Sequence, residues 1–193
     1  SSRHLTDNIL HHMNQFVKNE NIQLVEYLCN CHDSRSVLLA EKNRFHFTDI
    51  RLTFEKQLNA SSPYELNSNF RIGLAKKEHI PELREISGNI YKDSRYYFDG
   101  NFSDAKIDEF YRNWVEKAVL GNFDHECYTV FDGNIPAGFC TIRYRSAKVA
   151  QIGLFGISSK YQGRGLAISL IQAVNNILYK KGVGRISVVT QGR

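Results

Sequence analysis

An α/β fold with a mixed, mostly antiparallel sheet is predicted by three observations. Strand-like and helix-like runs alternate along the chain. An Asp132-Gly133 turn joins "CYTVF" to "GFCTIRYR" as an antiparallel hairpin. A long helical run separates the last two strands, which makes that pair parallel with a right-handed crossover.

The elements follow in chain order. "NILHHMNQFVKNENIQ" has apolar residues near helical spacing, and "IQLVEYLC" reads as a buried strand. "SRSVLLAEKNRF" reads as a helix that Ser34 or Ser36 can cap, and "FTDIRLTFEKQL" alternates Ile50, Leu52 and Phe54 on one side of a strand. The Ser/Asn-rich "NASSPYELNSN" is the best linker candidate. These signals predict a small α/β N-terminal region at 1–64 and a second domain at 69–193.

The second domain opens with the strand "FRIGLAK". The helix "KEHIPELREISGNIYKDS" follows, with Pro81 tolerated in its first turn. "SRYYFDGNFS" reads as an aromatic loop. "SDAKIDEFYRNWVEKAVLG" is a helix with Ser103 as N-cap and Ile107, Phe110, Tyr111, Trp114 and Val115 on one face. The hairpin comes next, then the strand "KVAQIGLFGIS". The loop and helix "YQGRGLAISLIQAVNNILYKKG" stop at Gly182, and "RISVVTQ" is the final strand.

Composition excludes several classes. The 193 residues suffice for one sizeable core, or one core with a small appended unit. Hydrophobic content of 42% fits a globular chain. No run is long and apolar enough to span a bilayer, so no membrane insertion is expected. The opening "SSRHLTDNILHH" lacks a signal-peptide layout, and the cytoplasm is the expected location. A net charge of +5 from scattered Lys and Arg suits an anionic ligand and gives no basic run for nucleic acid. Cys29 and Cys31, beside His32, lack the second pair that a structural zinc needs, and no metal is expected.

The chemistry concentrates at "LFGISSKYQGRGLA". A strand ends near Ile157 and a helix begins near Gly165, leaving the backbone N–H groups from Gln162 to Ala167 without helical acceptors. Glycines at 163 and 165 permit close approach. The helix dipole and Arg164 add positive character, which together describe a cradle for a phosphate or pyrophosphate. No Gly-Lys-Ser/Thr follows, so this is no Walker loop, and the third glycine of a dinucleotide fingerprint is missing.

"QGRGLA" resembles the Q/R-x-x-G-x-G/A motif of the GNAT superfamily of N-acetyltransferases, and the element order from about 69 onward is similar to that fold. The resemblance implies acetyl-CoA as co-substrate. Gln162, Gly163, Arg164, Gly165, Leu166 and Ala167 would hold its pyrophosphate. Leu154, Phe155, Gly156 and Ile157 would pair with the pantetheine arm, on a strand splayed from the next so that the thioester can enter. Gly153 and Gly156 suit a bulge or close backbone approach there.

"SRYYFDGNFS", "FYRNWVEKAVLGNFDHECYTV", "IGLFGIS" and "VVTQGR" further resemble bacterial acetyltransferases of dTDP-4-amino-4,6-dideoxyhexoses, the dTDP-fucosamine type. That resemblance implies transfer to the amine of a nucleotide-linked sugar, for cell-surface polysaccharide synthesis. Arg95, Tyr97 and Phe102 would border the acceptor. A protein or small-molecule amine as acceptor, a non-catalytic CoA-binding module, and a homodimer stay open.

Acetyl transfer needs a neutral amine, an oriented thioester, a stabilised oxyanion and a proton for the thiolate. A backbone N–H near Phe155 and Gly156 would meet the oxyanion. "KVAQIGLFGIS" carries no carboxylate. Asp124, His125 and Glu126 read as surface residues at a strand entrance, so water is the expected base. The resembled family's acid is a tyrosine beyond the last strand, followed here by no matching helix and strand before Arg193. The chain therefore reads as a fragment with its acid unassigned.

Overall fold

The computed structural model describes residues 4–59 and 69–192, in two compact units, Ser1–Phe47 and Thr48–Arg193. The first holds helices α1 (Asp7–Asn19) and α2 (Ser34–Lys42). The Thr6 hydroxyl accepts from the Ile9 N–H at 3.3 Å to start α1. Asp33, rather than Ser34 or Ser36, caps α2 by accepting from the Ser36 N–H at 3.2 Å. Leu5, Leu10 and Ala40 form this unit's small core.

The strand expected at "IQLVEYLC" is irregular backbone. An isolated strand has no partner for its N–H and C=O groups, so apolar content alone does not make one. Cys29 and Cys31 are free thiols, and no three His, Cys, Asp or Glu side chains converge as metal ligands among the described residues.

The second unit is built on six strands: β1 (Arg51–Gln57), β2 (Phe70–Leu74), β3 (Glu126–Asp132), β4 (Ile135–Ser146), β5 (Val149–Ile157) and β6 (Arg185–Gln191). Their order is β1-β6-β5-β4-β3-β2, antiparallel throughout except for β5 and β6. The strand expected in the N-terminal region, β1, pairs instead with β6, from Arg51 opposite Gln191 to Gln57 opposite Arg185. Its backbone needs a ladder, and the free edge of β6 supplies one. The unit boundary therefore falls at Phe47 and Thr48, before the expected 64. The linker candidate at 59–69 lies mostly outside the described residues.

Helices α3 (Ile80–Ile90), α4 (Arg95–Asp99) and α5 (Asp104–Val119) precede β3. Helix α6 (Leu166–Lys180) crosses from β5 to β6. On α6, Leu166, Leu170, Ala173, Val174 and Leu178 recur at helical spacing and are buried. They pack with Ile142, Ala150, Ile152 and Ile186 on one sheet face. Leu83, Ile86, Ile107, Tyr111 and Val115 of α3 and α5 pack with Phe139 and Leu154 on the other.

Two local expectations shift. Ser103 is the N-cap of α5, but its side chain makes no capping bond. Asp132 belongs to β3, and the hairpin turns at Gly133, with φ of 57°, and Asn134. No helix among the described residues is long and apolar enough to cross a membrane.

Candidate acyl-transfer site

The site follows from how β5 is paired. The β5–β6 ladder runs from Val149 opposite Arg185 to Ile152 opposite Val188 and stops there. The pairing of β5 with β4 continues to Ile157 opposite Gly138. From Gly153 onward, the side of β5 facing away from β4 meets no strand among the described residues. Around this divergence opens a cleft of about 750 Å3, lined by Gly153, Leu154, Phe155, Ile171 and Val188 among others.

Where the ladder stops, β5 bulges. Cys140 opposes Phe155 and Ile142 opposes Ile152, so one residue of β4 faces two of β5, Gly153 and Leu154. The Leu154 N–H donates to the Thr141 hydroxyl at 2.7 Å instead of a ladder carbonyl. Further on, the Ser158 N–H reaches the Ala137 carbonyl at 2.9 Å. Successive N–H groups of a strand alternate in direction. Leu154, Gly156 and Ser158 therefore direct theirs toward β4, and Phe155 and Ile157 direct theirs into the gap.

Of the two expected oxyanion positions, then, the amide of Phe155 faces the cleft, whereas that of Gly156 serves the ladder. The carbonyls on the gap side are capped by side chains: Tyr91 Oη donates to the Phe155 oxygen at 3.0 Å, and Gln162 Nε2 to the Ile157 oxygen at 3.3 Å. Burial, with Tyr111 stacked 4.4 Å away, pushes the Tyr91 hydroxyl well above the usual tyrosine range and keeps it a donor.

After a 3-10 turn at Ser159–Tyr161 comes the glycine loop. Gly163 and Gly165 both adopt left-handed φ, 76° and 75°, and a Cβ at either would meet nothing within 4 Å. Handedness rather than crowding requires glycine here. Gly165 is the N-cap of α6, so the amides of Leu166, Ala167 and Ile168 have no acceptor within the helix. The Arg164 guanidinium lies 5.4 Å from the centre of the Tyr161 ring.

The expected acceptor residues divide. Arg95 lines the cleft. Tyr97 does not: its hydroxyl donates to Asp108, and Lys92 Nζ reaches that hydroxyl at 2.8 Å. Phe102 packs edge-on against Tyr96, with centroids 5.9 Å apart. The expected loop is helical at 95–99, and two residues along a helix point well apart, so Arg95 and Tyr97 cannot share a target.

Reasoning from sequence missed Tyr91, Arg143 and Arg145, which line the cleft, and misplaced Asp124. Asp124 is completely buried, and it accepts from Trp114 Nε1 at 2.8 Å and Arg143 Nε at 3.0 Å. The signal lay on β4, where Thr141, Arg143 and Arg145 recur at every second residue and mark one polar face.

A family model described as the Acetyltransferase (GNAT) family matches residues 88–192. Over 139 residues the chain is 31% identical to the dTDP-fucosamine acetyltransferase of Escherichia coli O6:H1, an alignment covering 71% of this chain. The chain spans 58% of that relative's length. A GCN5-related N-acetyltransferase of Sphaerobacter thermophilus is similar in structure, with a TM-score of 0.64 at 15% identity over 96% of this chain and 58% of its own. A functionally unknown conserved protein of Staphylococcus epidermidis gives 0.62 at 15% identity, over 99% of this chain and 73% of its own. With more than half of its length under the family model and this fold around the cleft, the chain belongs to the GNAT acetyltransferase family.

Proposed function

We propose that the chain is an acetyl-CoA-dependent N-acetyltransferase whose acceptor is the amine of a nucleotide-linked amino sugar. The observation that carries the donor half is the release of β5 from β6 beyond Ile152, which leaves the Phe155 amide facing a cleft. An extended pantetheine arm would add to that edge as a strand does. The loop from Gln162 to Ala167 would take the pyrophosphate on backbone donors, with Arg164 supplying charge at its rim. The Phe155 N–H would meet the oxyanion as the amine attacks the thioester carbonyl. Holding both reactants in one cleft supplies much of the remaining rate.

The acceptor half rests on the cleft's lining and on the named relative. Arg51, Arg95, Arg143 and Arg145 share the cleft with Tyr91, Tyr96 and Trp114. Guanidinium groups suit a diphosphate and aromatic faces suit a base. The relative that is 31% identical is a dTDP-fucosamine acetyltransferase.

Calorimetry with CoA tests the donor site. Gly165→Asp places a carboxylate and a Cβ at a left-handed position where the phosphate would sit, and binding should weaken at least ~100-fold. Binding at the wild-type level would refute the loop assignment. Release of free thiol from acetyl-CoA, measured with a dTDP-4-amino sugar, a lysine peptide and a simple amine, tests the acceptor. Turnover confined to the last two would overturn the sugar reading.

A further inference from the structure

We propose that Asp124, acting through Thr141, is the positioning residue that keeps the Phe155 amide turned into the gap beside β5. The inference rests on the acetyl-transfer reading above and concerns how its oxyanion donor is held in register.

Asp124 is 0% exposed, and its carboxylate accepts from three side-chain donors. Oδ2 accepts from Thr141 Oγ1 at 2.6 Å and from Trp114 Nε1 at 2.8 Å. Oδ1 accepts from Arg143 Nε at 3.0 Å, with a second guanidinium nitrogen 2.9 Å away. An ionised carboxylate only accepts, so the Thr141 hydrogen must point at Asp124. The hydroxyl's free lone pair is then the acceptor that the Leu154 N–H meets at 2.7 Å. The direction of the whole relay is fixed by the one charged member.

That relay is what makes the bulge. Thr141 is the β4 residue opposite the extra residue of β5, and its side chain replaces the missing ladder carbonyl. The backbone of β5 is shaped to admit it. A Cβ on Gly153 would lie 2.2 Å from Asp124 Oδ2 and 2.8 Å from Thr141 Oγ1. Beyond the bulge the alternation of β5 is displaced by one residue. Were the strand regular, Phe155 would present its N–H to β4, and the amide facing the gap would be that of its neighbour. The phase of the donor is therefore set by a side chain that touches neither substrate.

The same carboxylate holds Trp114 and Arg143, both of which line the cleft. One buried anion thus ties the transfer strand to side chains of α5 and β4 that line the same cleft. Its removal leaves three donors without their acceptor, a larger disturbance than the loss of any single bond.

The test uses Thr141→Val, which keeps shape and volume and removes the hydroxyl, with Thr141→Ser as the rescue. Steady-state kinetics with acetyl-CoA, calorimetry with CoA and amide hydrogen exchange at Leu154 are read together. Thr141→Val should lower kcat about 10- to 100-fold, leave the Kd for CoA within about 2-fold, and speed exchange at Leu154, with Thr141→Ser recovering most of each loss. Asp124→Asn, where it folds, should behave like Thr141→Val, because an amide cannot accept from all of these donors at once. Unchanged kcat in Thr141→Val overturns the proposal, as does a parallel loss of kcat and CoA affinity. A wild-type chain with no turnover on any amine would sink the acetyl-transfer reading instead, and the Leu154 exchange rate would still report on the relay.

Discussion

The two halves of β5 are one strand under two regimes. From Val149 to Ile152 it is paired on both sides, with β4 and with β6, and its inward residues Ala150 and Ile152 pack against α6. From Gly153 to Ile157 it is paired on one side only, and Gly153, Leu154 and Phe155 of it line a cleft. The first half spends its hydrogen bonds on the sheet. The second keeps half of its backbone groups for something that is not the sheet, and side chains cap the carbonyls there while the amides stay directed into the gap. An unpaired edge invites aggregation unless it is short and covered. Here it spans a few residues inside a cleft, which suits a ligand that is itself extended.

The sharpest way to break this contrast is a pair of proline substitutions at adjacent positions. Phe155→Pro removes an N–H that no strand uses, so the fold should persist while kcat falls about 100- to 1,000-fold, the cost of losing an oxyanion donor. Gly156→Pro removes an N–H directed at β4 and should destabilise by about 3 kcal/mol or more. Added carbon there also meets Ile90 Cδ1, 1.9 Å from an ideal Cβ. Circular dichroism melts and thiol-release rates on both variants decide it. Wild-type turnover in Phe155→Pro would show that the gap-facing amide has no part in transfer.

Most of the second unit was legible because its signals are local. Helical spacing in α6, the turn at Gly133 and the strand run of β4 depend on near neighbours, and the glycine loop stands out by residue type alone, although its glycines serve left-handed φ and not the close approach expected of them. What was not legible depends on partners far along the chain. Whether "IRLTFEK" belonged with the residues before it or after it was decided by the free edge of β6, more than a hundred residues away. Asp124 looked like a surface residue because nothing in "FDHECY" reveals that Thr141 and Arg143 close over it. Tyr97 was placed at the acceptor because a loop was expected where α4 forms. The bulge was half visible: Gly153 marked the place, and the threonine that makes it sits on the neighbouring strand.

A second substitution probes the paired half. Ile186 pairs with Ala150 across the parallel ladder, is 5% exposed and packs in the α6-side core. Ile186→Ala should cost about 2–4 kcal/mol of stability, the range for truncating a buried isoleucine. It should leave the Kd for CoA and kcat within about 2-fold of wild type at a temperature well below the melt, since no catalytic group moves. Denaturant titration gives the first number and steady-state kinetics the second. A loss of kcat exceeding the loss of folded fraction would mean that the two halves of β5 are coupled and the contrast between them is false.

The smallest expected effect lies at the foot of the paired half, where Tyr144 pairs with Ala150. Glu126 there accepts from Tyr128 at 2.6 Å and Tyr144 at 2.8 Å, and Lys181 Nζ lies 2.5 Å from its other oxygen. Burial pushes the Glu126 carboxyl up, but the bonds from Lys181 and the two tyrosines outweigh it and hold it below the usual glutamate value. A lowered carboxyl contributes stability above its unfolded pKa and loses it as pH falls through the folded one. Burial lowers Lys181 and its bonds to Glu126, Tyr128 and Tyr144 more than offset that, so it is raised and its contribution disappears only in strong alkali. Between neutral and acid pH, the contribution of this pair therefore follows Glu126 and not Lys181. Lys181→Met should lower Tm by only about 2 °C at pH 7, because the pair is partly solvated. That gap should begin to close as pH falls through the ordinary glutamate range and vanish once it drops below the lowered value of Glu126 in the folded state, where the wild type's carboxylate protonates and the advantage of the lysine is lost. A gap of constant size from pH 7 to pH 3 would show that Lys181 acts through packing of its stem, and that charge has no share in anchoring this end of β5.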